Sequence, residues 1–498
     1  MLARVVASAL MCTLGCVTVQ GQARAPHPPV TKVFEDLDAD QDGLLSSKEV
    51  SGSRYARQFP RWDVDQSGTV DAKEVIAFRR KFGIAADGSL LRQANSFFIP
   101  SVDQLPRVGP GDRVSVDALR QSAYIIKTED HAPTGEQYFV LTDHTNSAYL
   151  NPLQQLVEHY RGTLLQVSDL SGLNLHHADW EGLRTELKSA KYVAIAPRKA
   201  TFTESMLLNM WALLSSIDDD ELIDVWPGLL VASSEVSFER LIKQSINRAQ
   251  IGVDAIRPIA ISQVQRASET RSLQKAGVLR RLLSTSDVKV PVVAVYGPTA
   301  GSAPRLKGEK IWNLTLEDDG GFLKAFPAAV DRELESANLW VLHGHGIPGM
   351  ACSIDVDGLP DDLEGKVVMS GSCFSACPWE SDLPPMREAP GGYTVEQQRD
   401  SFSIAAVDRG AIISFGHQRL SSGFPHLFPV MESLVSGKPA GQAYQELLNA
   451  LMGLKGYGST DLALTTEDRE NKRPRQNSLL YVMIGDPAIH LRKSEENK

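Results

Sequence analysis

The sequence predicts an α/β protein: a doubly wound, largely parallel sheet in two subdomains, preceded by a small all-α unit. Three observations predict it. From Tyr138 onward, short apolar runs alternate with amphipathic helical stretches, the pattern of strand–helix–strand crossovers. Those runs are dominated by Val, Ile, Leu and Ala, as in strands covered on both faces. Between residues 28 and 85, by contrast, two short acidic loops sit among helical patterns.

The chain has 498 residues, enough for several domains. Apolar residues make up 42% and charged residues 22%, ordinary for a globular protein. A net charge of −10 argues against nucleic acid as the main partner. Beyond the N-terminus no apolar run approaches the roughly 18 residues of a membrane span.

Residues 1–25 read as a secretory signal: Arg4, an apolar core from Val5 to Val19, then small and polar residues. The expected location is secreted, periplasmic or at the cell surface. Leu14-Gly15-Cys16 is a partial lipoprotein signal, with Thr13 where that signal prefers Leu. A lipid anchor through Cys16 therefore stays open.

Residues 28–85 carry the most specific motif. The run from Asp38 to Glu49 (DADQDGLLSSKE) matches the twelve-residue EF-hand calcium loop. Asp38, Asp40 and Asp42 offer side-chain oxygens and Leu44 a main-chain carbonyl. Glu49 closes the site with two oxygens, and Gly43 makes the sharp turn. The second loop runs from Asp63 to Glu74 (DVDQSGTVDAKE). Its ligands are Asp63, Asp65, Ser67, the Thr69 carbonyl and Glu74, with Asp71 adding charge at the ninth position. The eighth positions, Leu45 and Val70, are where paired loops make a short β contact. Hard oxygen donors imply Ca²⁺, with Mg²⁺ as the alternative. Helical patterns flank the loops at 30–37, 48–59 and 73–82.

Residues 86–136, with Pro100, Pro106, Pro110 and Pro133, read as a linker or pro-region. The first alternating unit spans 137–289. Its strands are expected at 138–141, 163–167, 192–196 and 228–232, and its helices at 151–160, 180–189, 204–216 and 238–249. The acidic run Asp218-Asp219-Asp220-Glu221 reads as a solvated loop or a weak cation site. The second unit spans 290–492. Its strands are expected at 290–296, 312–316, 339–342, 367–369, 411–415 and 479–484, and its helices at 322–336, 395–407, 425–435 and 442–451.

The candidate chemistry lies in that second unit. The apolar run Leu339–Leu342 ends at His343-Gly344-His345-Gly346, and Val367–Met369 ends at Ser370-Gly371-Ser372-Cys373. If the two strands are parallel neighbours, a thiol and an imidazole share one crevice at their carboxyl ends. A thiol becomes a useful nucleophile when an imidazole takes its proton. The glycines allow close approach to a substrate carbonyl, and the N–H groups of Gly346 and Cys373 are oxyanion-hole candidates. A buried cysteine after a core strand and a histidine in a tight turn is the alternative for either residue alone.

At these residues the chain resembles the caspase–hemoglobinase clan of cysteine peptidases. His345-Gly346-Ile347-Pro348-Gly349 is similar to the His-Gly turn of the legumains, and Ser372-Cys373-Phe374-Ser375 to the nucleophile turn of the gingipains. Leu479–Ile489 (LLYVMIGDPAI) resembles the closing strand and Gly-Asp-Pro turn of gingipain-type domains. The resemblance covers about residues 136–492. It implies a caspase-like fold and a Cys–His endopeptidase acting on proteins or peptides. In that pattern Cys373 attacks, and His345, rather than His343, serves as acid and base.

Gingipains select basic residues through a carboxylate near the end of the catalytic unit's first strand. Here the expected strand 290–296 is followed by no acid until Glu309, so that preference is not carried over. His417, after another expected strand, is a candidate crevice residue or a packed one. Of five cysteines, Cys352, Cys373 and Cys377 lie beyond the signal. A Cys352–Cys377 disulfide and two reduced thiols both remain open. The functions that fit are a secreted calcium-binding cysteine endopeptidase, a catalytically inactive calcium-dependent binding or scaffold protein on a peptidase-like fold, and a transpeptidase.

Overall fold

The computed structural model describes residues 28–53, 55–56, 59–63, 67–80, 86, 135–174, 177–218, 222–247, 256–267, 280, 283, 289–316, 322–379, 401–419, 427–455 and 477–491. The signal segment with Cys16, nearly all of the linker, Asp65, Asp219, Asp220, Glu221 and residues 395–400 of an expected helix lie outside them.

The acidic loops lie among helices at Val30–Leu37, Ser47–Val50, Phe59–Trp62 and Ala72–Arg80. The single helix expected over 48–59 is instead two short ones. Ser46 stops the first loop in a capping box, its side chain taking the Glu49 N–H while Glu49 reaches back to Ser46. Two-residue strands β1 (Leu45–Ser46) and β2 (Thr69–Val70) pair antiparallel, with Leu45 opposite Val70. Val33, Leu45, Val50, Trp62, Val70 and Val75 pack into a small core between them.

The rest is built on one eleven-stranded sheet. The first alternating unit supplies β3 (Gln137–Thr142), β4 (Thr163–Gln166), β5 (Ala190–Ala196) and β6 (Trp226–Leu229), in the order β4-β3-β5-β6. Next come β7 (Pro258–Val264), β8 (Val292–Tyr296), β9 (Ile311–Thr315) and β10 (Leu339–His343). A small three-stranded antiparallel sheet follows: β11 (Gly346–Ile347), β12 (Met350–Ala351) and β13 (Ile354–Asp355). Then β14 (Val367–Ser370), β15 (Ile413–His417) and β16 (Tyr481–Gly485) complete the large sheet as β16-β15-β14-β10-β7-β8-β9. From β15 to β9 every neighbouring pair is parallel. β16 runs antiparallel to β15 and bridges to β6 through Ile484 and Leu229, so the two alternating units share one sheet.

β7 lies where no strand is expected from the sequence. Pro258 opens it, a position where the missing N–H costs nothing, and Ser262 and Gln263 interrupt the apolar run although all seven residues are buried. From β7 the chain steps outward to β8 and β9, then returns to β7's other side as β10. The order reverses there, which makes the carboxyl ends of β7 and β10 a topological switch point.

Side-chain caps start the helices that cover the sheet. Asn146 accepts the Ala148 N–H ahead of Ser147–Tyr160, Thr203 the Met206 N–H ahead of Glu204–Leu214, and Ser401 the Ile404 N–H ahead of Phe402–Asp408. Every residue of Glu204–Leu214 is buried, so it is a central helix rather than an amphipathic outer one. Among the described residues no helix is long and apolar enough to cross a membrane.

Candidate active site

β10 and β14 are parallel neighbours, with Leu342 opposite Ser370. The turns that follow them therefore leave the sheet side by side, and Gly371 N–H donates back to the Leu342 carbonyl at 3.0 Å.

The histidine turn is held from β7. Gln263, 1% exposed, accepts the His345 main-chain N–H on Oε1 at 2.6 Å, and its amide N–H donates to Ser353 Oγ. Gly344 sits so close that a Cβ there would lie 2.6 Å from both Cβ and Oε1 of Gln263. His343, buried in β10 opposite Ser262, lies inside the sheet, whereas His345 is half-buried at its rim. Cys352 N–H donates to the His345 carbonyl at 2.9 Å. Gly346 and Ala351 are consequently the non-hydrogen-bonded pair of the β11–β12 hairpin, so the Gly346 N–H points away from β12.

The cysteine turn is braced on both sides. Ser372 Oγ accepts the same Cys352 N–H at 3.1 Å, which ties the two turns together. A Cβ on Gly346 would lie 2.2 Å from the Cys373 carbonyl oxygen and 2.7 Å from the Ser372 Cβ, so only glycine allows this approach. Cys373 is 5% exposed, and Phe374 after it adopts a left-handed φ of 56°. On the far side Phe374 N–H donates to the Arg419 carbonyl and Ala376 N–H to that of His417, each at 2.9 Å. His417 N–H donates to Ser375 Oγ at 3.2 Å. His417 is wholly buried in β15 with its ring 4.5 Å from that of Tyr481, so it is a packed strand residue.

None of Cys352, Cys373 and Cys377 is in a disulfide in the structure. Burial pushes the Cys352 thiol well above the usual range, and the thiol donates to the His343 carbonyl at 3.3 Å. Cys377 clusters with Cys373 and Phe374, while Cys352 packs in a different apolar cluster under β10.

Gln263, Ser353 and Arg419 are parts of this frame that no sequence motif marked. The one available signal was Ser262-Gln263, a polar pair in an otherwise apolar run.

The acidic loops have their own geometry. Carboxylate oxygens of Asp38, Asp40 and Asp42 lie within 4.8 Å of one another. Gly43 N–H donates to Asp38 Oδ2 and Gly68 N–H to Asp63 Oδ2, each at 3.0 Å, with both glycines at left-handed φ. The other oxygen of each, Asp38 Oδ1 and Asp63 Oδ1, is buried without a hydrogen-bond partner. Glu49 Oε1 accepts the Ala39 N–H, and its Oε2 accepts the N–H and hydroxyl of Ser46.

No family model matches the chain, and no curated protein matches it. Among solved structures it is similar to the Arg-specific cysteine proteinase gingipain R, at 11% identity over 72% of this chain and 78% of that one, with a TM-score of 0.44. It is also similar to the complex of RgpB pro- and mature domains from Porphyromonas gingivalis, at 10% identity over 71% and 79% of the two chains, with a TM-score of 0.37. A third similar structure, described as a protease, shares 10% identity over 73% and 80%, with a TM-score of 0.42.

Proposed function

We propose that the chain is a calcium-binding cysteine endopeptidase in which Cys373 is the nucleophile and His345 its acid and base. The observation that carries this reading is the junction of two turns at the carboxyl ends of β10 and β14. Gly346 there lies against the Cys373 carbonyl so closely that no side chain fits between them. Two glycine-flanked turns after core strands, cross-tied through Cys352 and Ser372, are more than packing requires.

The chemistry follows from the residue types. His345 takes the Cys373 thiol proton, and the thiolate attacks the scissile carbonyl. The carbonyl oxygen gains the negative charge, which the N–H groups of Gly346 and Cys373 are proposed to receive. The intermediate collapses to a thioester as His345 passes its proton to the leaving amine. Water, deprotonated by His345, then adds to the thioester and releases the acid product and the thiol.

Calcium belongs to the acidic loops. Asp38, Asp40, Asp42, Glu49 and the Leu44 carbonyl would hold one ion; Asp63, Asp65, Ser67, Glu74 and the Thr69 carbonyl would hold the second. The orphaned Oδ1 atoms of Asp38 and Asp63, the first residue of each loop, fit that reading, because an oxygen buried without a donor is satisfied by a cation. The secreted or cell-surface location suggested by residues 1–25 belongs to the same proposal.

The test is labelling of the full-length protein with a thiol-directed acyl probe, with and without Ca²⁺. Labelling at Cys373 that is lost in His345→Ala supports the endopeptidase. An inert Cys373 in a folded protein favours a binding or scaffold role.

A further inference from the structure

We propose that the buried Glu204–Arg419 ion pair is a positioning device for the Cys373 turn, through which the N-terminal α/β unit sets the reactivity of the nucleophile. The inference deepens the Cys373–His345 reading and rests on it.

Arg419 Nε donates to Glu204 Oε1 at 2.8 Å, and the two side chains are 6% and 2% exposed. Two charges taken out of water gain little net stability over an apolar pair of the same size, but they fix direction. What is fixed here is the main chain of Arg419. Its carbonyl accepts the Phe374 N–H, the first peptide N–H after the nucleophile. Phe374 has a φ of 56°, a region a non-glycine residue occupies only when its surroundings impose it. With the two His417 contacts, residues 417–419 act as a rail at the end of β15 along which the turn 374–376 is bonded.

The other end of the clamp is rigid. Glu204 lies in the first turn of the fully buried helix Glu204–Leu214, whose Trp211 indole N–H donates to the Leu479 carbonyl just before β16. The same neighbourhood is tied a second time: Phe202 packs edge-on against Trp379, and Lys199 lies over that ring at 4.9 Å. The path is thus helix, Glu204, Arg419, Phe374, Cys373. Without the clamp the Arg419 carbonyl drifts, Phe374 relaxes out of the left-handed region, and the Cys373 thiol loses its alignment with His345.

The experiment follows iodoacetamide alkylation of Cys373 against pH in the full-length protein by site-resolved mass spectrometry, with thermal denaturation alongside. The wild type should alkylate with a midpoint below the ordinary thiol value of about 8.5. His345→Ala should raise that midpoint. Arg419→Met and Glu204→Gln should each lower the rate at pH 7 by about tenfold and move the midpoint toward the ordinary value. Arg419→Lys, which keeps the charge, should restore part of both.

Because Arg419→Met removes the cation that faces a buried carboxylate, the double variant Glu204→Gln/Arg419→Met is the decisive one. It carries neither charge, so it should fold, and its profile should stay displaced. A folded double variant with the wild-type profile overturns the proposal. So does failure of both the double variant and Arg419→Lys to fold, since the pair would then govern folding rather than the turn. If the wild-type profile is ordinary and His345→Ala leaves it unchanged, the Cys–His reading fails and this proposal falls with it. A shifted wild-type profile that the clamp variants do not move sinks the clamp alone.

Discussion

At the scale of single residues, two histidines two positions apart have opposite environments. His343 is packed inside β10, and its carbonyl accepts a hydrogen bond from the Cys352 thiol. His345 stands half-buried past the strand end, beside the Cys373 turn. On the proposed mechanism Cys373→Ala and His345→Ala should each cut peptide hydrolysis by roughly 10⁴-fold, and the double variant hardly further, because a nucleophile and its base would act as a unit. His343→Ala should keep most activity; a dead His343→Ala beside an active His345→Ala in a fluorogenic peptide assay reverses the assignment. Gly346→Ala tests the close approach itself. A methyl group 2.2 Å from the Cys373 oxygen has to push the two turns apart. A displacement of about 1 Å at reacting groups costs on the order of 10²-fold in rate. Wild-type turnover in a folded Gly346→Ala protein would show that the contact is incidental.

At the scale of elements, the acidic loops and the turns at His345 and Cys373 share no residue and no strand. Each loop gathers four carboxylates, Asp38, Asp40, Asp42 and Glu49 in one and Asp63, Asp65, Asp71 and Glu74 in the other. Charge repulsion opposes their order without a cation, and binding then stabilises the folded form by mass action. Glu49→Gln combined with Glu74→Gln should abolish high-affinity calcium binding by calorimetry while leaving small-peptide hydrolysis largely intact. Loss of both together would make the loops regulators of catalysis rather than a module for stability or attachment.

At the scale of the whole molecule, the end of β16 is tied to the start of the first unit by a buried carboxyl. Asp486 is wholly buried and accepts the hydroxyls of Tyr138 and Tyr160 at 2.9 Å each, as well as the Ala488 N–H. Tyr138→Phe with Tyr160→Phe should lower unfolding stability by about 1–3 kcal/mol, as expected when a buried acceptor loses its donors. Burial raises the Asp486 pKa above its ordinary value of 3.8, against the lowering effect of the Ala488, Tyr160 and Tyr138 hydrogen bonds. The folded state therefore holds this proton more tightly than the unfolded chain. That contribution is complete below 3.8 and is lost as pH rises through the folded value. Relative to Asp486→Asn, wild-type stability should fall with rising pH across that window in thermal melts. An identical pH slope for the two proteins would show that Asp486 titrates in the fold as it does unfolded.

The sequence alone determined the elements whose signal is local. Periodicity gave the strand–helix alternation after Tyr138, the spacing of oxygen donors gave both acidic loops and the Leu45–Val70 contact, and small residues after apolar runs marked the two turns. Ends moved by a few residues, and β7 was missed, because Pro258 and the polar pair Ser262-Gln263 hide a strand whose burial comes from neighbours on both sides. Tertiary structure decided whatever depends on residues far apart in the chain. The adjacency of β10 and β14, the switch point beside β7, the hold of Gln263 on the His345 turn and the Glu204–Arg419 clamp across 215 positions are of this kind. Beyond the polar pair Ser262-Gln263 in an apolar run, the local pattern does not show them: Gln263 and Glu204 look like ordinary polar residues until folding removes them from water, and then each must find a partner, wherever along the chain that partner lies.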